Sequence, residues 1–290
     1  MTRRSSELNA RANGVAPLSA GDLVVLCDFV YARTGMKFGE TKRYYIDRRV
    51  AERMARRRID AFADYYALLR VDAREVEKLI NSFTVNETYF YREEHQLACL
   101  SRSILPEIIL GKRPGDKIRI WSAPCSSGEE PYSIAIWLLE NWALVDSYHV
   151  EIVGSDIDTD IIAEALAASY GPRAVMRLPP ALVQRYFTPI ENGRVRLIDD
   201  LRESVTFTPV NITDPASVAR AGLFDVIFCR NLLIYFDEPG RARCMTSLFE
   251  SLLPGGYMCL GHSESMSRIS ARFLTRRFPE AIVYQRPGEP

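Results

Sequence analysis

The sequence predicts an α/β protein: a mostly parallel sheet with helices on both faces, interrupted by a small antiparallel insertion and preceded by a small all-α domain. Three observations predict it. Beyond residue 114, short apolar runs alternate with helix-length stretches. Before residue 114 no strand pattern occurs, and apolar residues recur at helical spacing. Between residues 170 and 201 the alternation breaks into short runs punctuated by Pro and Gly.

Residues 1–15 are polar and basic without periodicity, and are expected to be disordered. A helical domain is expected over 16–85. In it, Leu18 and Ser19 precede an apolar run, 23–30, and Gly35 and Gly39 mark a turn. A second helix, about 42–57, carries the apolar stripe Ile46, Val50 and Met54 at i, i+4 and i+8. Arg49, Arg53 and Arg56 line up on a different face. Short helices follow at 60–69 and 73–81. A linker, 86–113, reads as a helical stretch that Pro106 kinks or restarts, before Gly111, Pro114 and Gly115 break it.

The α/β domain is expected over 114–290. Strands are predicted at 118–121, 150–155, 205–209, 224–229, 257–261 and 281–285, with helices at 130–142, 159–169 and 239–253. The insertion, about 170–204, has short runs at 184–187 and 195–198 and a hairpin turn at Asn192-Gly193.

With 290 residues, 47% hydrophobic and 26% charged, the chain has the composition of a globular protein with room for two domains. No apolar run reaches bilayer length, and the polar start has no signal-peptide core, so a cytoplasmic location is expected. Six cysteines are scattered without a C-x-x-C, which predicts reduced thiols. The three histidines have no metal-ligand spacing, and no metal is expected. The zero net charge conceals an asymmetry. Residues 1–80 hold 16 Lys/Arg against 11 Asp/Glu, a surplus of five, and 41–58 alone holds eight basic and two acidic residues.

The stretch most informative about chemistry is IRIWSAPCSSGEEPYS, residues 118–133. It reads as a buried strand, a loop of small residues, and a helix opening on Glu129 and Glu130 with Pro131 in its first turn. Strand–loop–helix units bind nucleotide-like ligands at the carboxyl end of a parallel sheet. An acidic helix start argues against phosphate and suits a ligand bearing ammonium or sulfonium charge, which points to S-adenosylmethionine (SAM). The loop lacks G-x-G-x-x-G, so a plain βα turn is the competing reading.

Asp156, ending the second strand, is placed to accept ribose hydroxyls or to be a solvated strand-end acid. Asn211-Ile212 follows the third strand, where a polar and aliphatic pair could hold adenine or simply form a loop. Arg230 and Asn231 emerge from an apolar strand, and burying them unpaired is expensive. They face a cleft, or Arg230 closes the core edge through an Arg–Asp ion pair. By period alone, Asn86–Arg92 reads as the start of an amphipathic helix capped by Asn86 or Thr88.

Taken in order, NETYFYRE, IRIWSAPCSSGEEPYSIAI, GSDIDTDII, FDVIFCRNLLIYF and PGGYMCLGHSES closely resemble the chemotaxis receptor methyltransferases, the CheR family, over about residues 20–285. The resemblance implies a Rossmann-like, SAM-dependent methyltransferase. Such enzymes esterify glutamate side chains on the cytoplasmic helical bundle of chemoreceptors and release S-adenosylhomocysteine. It implies that Asn86, Thr88 and Arg92 close over the cofactor, Glu129 holds its ammonium and Asp156 its ribose. Asn211 and Ile212 would flank adenine, Arg230 and Asn231 line the pocket floor, and Arg92 and Tyr235 sit beside the transferred methyl. The insertion corresponds to the family's β-subdomain, which in some members grips a receptor's C-terminal pentapeptide. Here the hairpin TPIENG is a few residues shorter than in those members, so pentapeptide-independent action is expected.

The face of Arg49, Arg53 and Arg56 is expected to meet acidic receptor helices, against the alternatives of a solvated face or a nucleic-acid surface. No nucleic-acid partner and no membrane insertion are expected, and the protein is expected to be a monomer. Two other functions compete. One is a non-catalytic SAM-binding signalling adaptor, against which the retained Arg92, Asn231 and Tyr235 argue. The other is an RNA methyltransferase, whose usual N-P-P-Y loop is replaced here by RNLLIY.

Overall fold

The structure, a computed structural model, describes residues 17–265 and 270–288. The N-terminal stretch expected to be disordered lies outside them. The chain divides into two units. One comprises residues up to Val85 together with Tyr235–Asp237, the other Asn86–Ile234 and the chain from Glu238 onward.

The first unit is helical. Helix α1 (Ala20–Thr34) starts where the Ser19 hydroxyl accepts the Asp22 N–H at 3.1 Å, and stops where Gly35 turns left-handed at φ 69°. Helix α2 (Arg43–Arg57) buries Ile46, Val50 and Met54, the stripe its spacing predicts. Helices α3 (Phe62–Leu69) and α4 (Ala73–Phe83) complete it, α4 being capped by Asp72. The segment Tyr235–Asp237 joins this unit through a Met36–Phe236 bridge and the Lys37 N–H donated to the Tyr235 carbonyl.

The docking face expected on α2 is corrected by this packing. Arg53 is only 11% exposed and forks onto Glu75 at 2.9 and 2.7 Å, while the Tyr65 hydroxyl donates to the same carboxylate at 2.8 Å. Glu75 is 1% exposed, so Arg53 neutralises a buried charge and is not a docking residue. Arg49 lies over the Tyr45 ring and near Glu52, and only Arg56 of the three is fully exposed.

In the second unit, strands β1 (Lys117–Ser122), β2 (His149–Asp156), β6 (Val205–Pro209), β7 (Phe224–Cys229) and β8 (Leu252–Leu260) run parallel in the order β6-β2-β1-β7-β8. Strands β9 (Leu274–Arg277) and β10 (Ile282–Gln285) extend it antiparallel, in the order β8-β10-β9. Ile120 stands beside Ile152 on one side and Val226 on the other. The apolar strands are buried on both faces, as parallel sheets require. Trp121 stacks on Phe224 with ring centres 4.8 Å apart and donates its indole N–H to Ser155. The one acid within β7, Asp225, is buried but paired with Lys112 at 2.9 Å.

Helices α7 (Glu129–Asn141), α8 (Thr159–Ala167), α12 (Pro215–Ala221) and α13 (Glu238–Glu250) connect the strands. The insertion forms its own sheet, β3 (Ser169–Tyr170), β5 (Val195–Leu197) and β4 (Phe187–Pro189) in that order, with the turn at Glu191–Gly193. Between β3 and β4 lie α9 (Pro172–Val175) and α10 (Pro180–Tyr186), and α11 (Asp199–Glu203) follows β5.

Three expectations are corrected here. Residues 184–186 are helical, because Pro180 opens a helix that holds until Tyr186. The sheet closes with two antiparallel strands, not one. The segment before Glu94 is not helical. Helix starts only with α5 (Glu94–Cys99), passes through a π-helical turn (Leu100–Ile104) and resumes as α6 (Leu105–Ile109) with Pro106 in its first turn. Proline lacks the N–H that a continuous helix would use, and the extra residue in the turn absorbs the break.

Candidate cofactor site

The order β6-β2-β1-β7 reverses direction of growth between β1 and β7, and ligands of such sheets bind outside the carboxyl ends of the strands at that switch. The loop 123–128 lies there. Hydrogen bonds to the strand ends and to residue 86 hold it. Cys125 N–H donates to the Ser155 carbonyl at 2.8 Å, Ser126 N–H to the Asp156 carboxylate at 2.9 Å, and Ser126 hydroxyl to the Asn86 carbonyl at 3.1 Å. Gly128 ends it at φ +90°, where a Cβ would come within 3.1–3.2 Å of Ala165, Tyr132 and Phe207. Only glycine fits that turn without displacing the packed rings.

Two carboxylates are buried against this loop. Glu129, 4% exposed, accepts the Ser127 hydroxyl at 2.7 Å, and burial raises its carboxyl above the ordinary range. Asp156, 5% exposed, accepts N–H groups of Asp158 and Ser126, and burial pushes it up to about 6 despite those bonds. Neither is ion-paired with a Lys, Arg or His among the described residues. A carboxylate has about four acceptor positions, so both retain capacity for a ligand. This donor set fits SAM. A cationic amino group would offset the uncompensated charge of Glu129, and vicinal hydroxyls could donate to Asp156.

The neighbouring acid behaves differently. Glu130 pairs with Arg230 at 2.6 Å and accepts the Ser122 hydroxyl at 2.8 Å. Arg230, 5% exposed, also pairs with Glu93 at 3.1 Å and donates to the Arg92 carbonyl at 2.8 Å. Burial works against the Arg230 charge, but Glu130 and Glu93 hold its pKa above the usual value. Arg230 therefore closes the core edge by ion pairs, as the second of its two sequence readings had it, but with Glu130 and Glu93 in place of an aspartate, and its buried Nε has no hydrogen-bond partner among the described residues.

The segment 86–93 is not a helix because its polar groups are claimed by the sheet domain. Asn86 amide donates to Asp158 at 2.9 Å, Phe90 N–H to the Ala174 carbonyl at 2.8 Å, and Tyr91 N–H to the Ser133 hydroxyl at 3.0 Å. Phe90 packs edge-on to Tyr170 and Phe187 of the insertion, and the Tyr170 hydroxyl donates to the Ser127 carbonyl at 3.0 Å. Tyr91 and Glu93 adopt left-handed angles, φ 58° and 56°. Arg92, half-buried, donates to the Glu87 carbonyl at 2.8 Å and lies over Tyr89, and Thr88 is also half-buried.

The structure thus brings Asn86, Glu129 and Asp156 into one connected network through Ser126, Ser127 and Asp158. The β6 exit is tied to it where Val210 N–H donates to the Asp156 carbonyl at 2.9 Å. Asn211 then forms a turn, its side-chain oxygen accepting Thr213 N–H and hydroxyl, and Ile212 is 7% exposed. Asn231 follows Arg230 at φ 59°. Tyr235 belongs to the first unit, with its ring 5.6 Å from the Lys42 ammonium. Glu93 and Glu130, which hold Arg230, carry no role in the sequence reading. Glu130 was visible in the sequence as the second acid of GEEPY, but nothing there says which of two adjacent acids faces the core arginine.

Among the described residues, no group of His, Cys, Asp and Glu has metal-site geometry, and no helix is long and apolar enough to cross a membrane.

Residues 86–282 match the family model described as CheR methyltransferase, SAM binding domain, and residues 21–84 match CheR methyltransferase, all-alpha domain. The chain is 46% identical over 262 residues to chemotaxis protein methyltransferase 2 of Vibrio cholerae, covering 90% of this chain and 91% of that one. It is 36% identical over 280 residues to the chemotaxis protein methyltransferase of Klebsiella aerogenes, covering 94% and 93%. It is 37% identical over 259 residues to chemotaxis protein methyltransferase 2 of Pseudomonas aeruginosa, covering 87% and 89%.

Proposed function

This chain belongs to the CheR family of SAM-dependent methyltransferases, and from that premise we propose that it methylates glutamate side chains on the cytoplasmic helices of chemoreceptors. The observation that carries the reading is the pair of buried carboxylates, Glu129 and Asp156, left without cations beside a small-residue loop. In this reading Glu129 takes the ammonium of SAM, Asp156 the ribose, and Asn211 with Ile212 the adenine. Bound there, SAM supplies a methyl group activated by its sulfonium.

The chain's own tasks are to orient and to exclude water. A glutamate acceptor has a reference pKa near 4.3 and is already anionic at neutral pH, so no general base is required. Opposite charges neutralise during transfer, and a dry, aligned site lowers the barrier by several kcal/mol, up to roughly 7–11 in favourable cases. Arg92 is assigned to orient the acceptor carboxylate, with Tyr235 in the same role by family resemblance. Asn86 and Thr88 close the cofactor side. Arg230 acts indirectly, by fixing the Arg92 carbonyl and Glu93. The exposed Arg56 and half-exposed Arg49 meet the receptor, while the short hairpin at 191–193 leaves the enzyme independent of a C-terminal receptor pentapeptide. A cytoplasmic location and a monomeric state accompany this reading.

Arg92→Ala tests the mechanism. It is expected to lower kcat at least about a hundredfold, with S-adenosylhomocysteine binding changed far less. Normal turnover by that variant would remove Arg92 from the chemistry.

A further inference from the structure

Glu264 lies in the loop after β8, and neither the sequence motifs nor the network above gives it a role. Its carboxylate accepts three backbone N–H groups: Asn231 and Gly261 on Oε2 at 2.8 and 2.9 Å, and Leu233 on Oε1 at 2.7 Å. Charge-assisted bonds of this kind are about twice as strong as neutral ones. Two of the three donors lie in the loop after β7, the strand beside the switch point. Cys229 and Leu260, the last residues of β7 and β8, stand opposite each other, so Glu264 stitches together two loops that leave the sheet side by side.

The stitch acts where the chain is under conformational constraint. Asn231 sits at φ 59°, a left-handed angle that an asparagine tolerates but that still needs support. Gly261 makes the approach possible: a Cβ there would stand 2.8 Å from Glu264 Oε2 and 3.1 Å from both Asn231 N and Nδ2. The same numbers put the Asn231 amide nitrogen beside Gly261.

We propose that Glu264 is a positioning residue that locks the loop at Asn231–Leu233 and thereby aims Asn231 at the cofactor. The inference rests on reading Asn231 as a cofactor contact, and adds that this contact is set from the neighbouring strand's loop. Glu264 touches no reacting atom in this account.

Calorimetric titration of S-adenosylhomocysteine into the full chain tests it, using wild type, Glu264→Gln, Gly261→Ala, Asn231→Gly and the Glu264→Gln/Asn231→Gly double variant. Glu264→Gln keeps the volume but turns an amide towards N–H donors, and Gly261→Ala keeps the carboxylate but pushes it away. Each is expected to weaken binding about tenfold. In the Asn231→Gly background, where backbone freedom remains and the side chain is gone, Glu264→Gln should change Kd less than about twofold, because the two residues then act as one unit. Equal losses in both backgrounds, or wild-type affinity in Glu264→Gln, would overturn the proposal. Should Glu264→Gln fail to fold, Gly261→Ala with and without Asn231→Gly decides it by the same criterion. Absence of binding to wild type would instead sink the cofactor reading, and this inference with it.

Discussion

At Asp156, burial raises the carboxyl to about 6, so it changes charge in a range where surface acids remain ionised. The folded-state value lies above the unfolded one. The folded protein therefore binds the extra proton between about 4 and about 6, and becomes more stable as pH falls through that window. A ligand whose hydroxyls need the ionised carboxylate opposes that protonation. S-adenosylhomocysteine should therefore bind more weakly below about pH 6, by up to tenfold per unit, and binding there should release protons. Calorimetry across pH in buffers of differing ionisation enthalpy measures both, and an unchanged Kd from pH 7 to 5 would remove Asp156 from the ribose site. Arg53 gives the second prediction at this scale. Arg53→Ala leaves the buried Glu75 carboxyl with only the Arg57 guanidinium at 3.7 Å and the Tyr65 hydroxyl, and should cost about 1–3 kcal/mol of stability in denaturant unfolding, whereas Arg56→Ala should be nearly neutral. Sequence spacing put both on one helix face. It could not show that a buried glutamate 22 residues later waits for one of them.

Among the elements, the loop 123–128 and the strand ends beside it were legible, because strand, small-residue loop and acidic helix start agree with one another at every level. The close fit of Gly154 was not. A Cβ there would stand 2.6 Å from the Phe207 ring, so β2 and β6 approach through a contact that only glycine allows. Gly154→Ala should destabilise the protein by about 1–3 kcal/mol and weaken cofactor binding through the displaced strand end. Thermal unfolding with and without S-adenosylhomocysteine checks this, and a wild-type melting curve would show that the ring yields freely. The segment 86–93 shows the opposite limit. Its residues suit an amphipathic helix locally, yet Asp158, Ala174 and Ser133, 42 to 84 residues away, take its side-chain and backbone groups. Long-range hydrogen bonds of that kind leave no trace in local periodicity.

For the whole molecule, the alternation of strands and helices foretold the parallel sheet and the insertion, because each parallel pair needs a helical crossover. The antiparallel β9–β10 edge escaped, since LTRR is too short and too polar to announce a strand. The charge asymmetry of the two halves remains a docking prediction carried by exposed side chains such as Arg56, not by the inward-turned Arg53. Methyl transfer from SAM to a side-chain carboxylate is the reaction proposed for this chain. Incubating the protein with methyl-labelled SAM and receptor cytoplasmic fragments, with and without their C-terminal pentapeptide, tests it most directly. Label is expected in both fragments at similar rates, released as methanol by mild base. Label that resists base, or label appearing in RNA and not in the receptor, would contradict it.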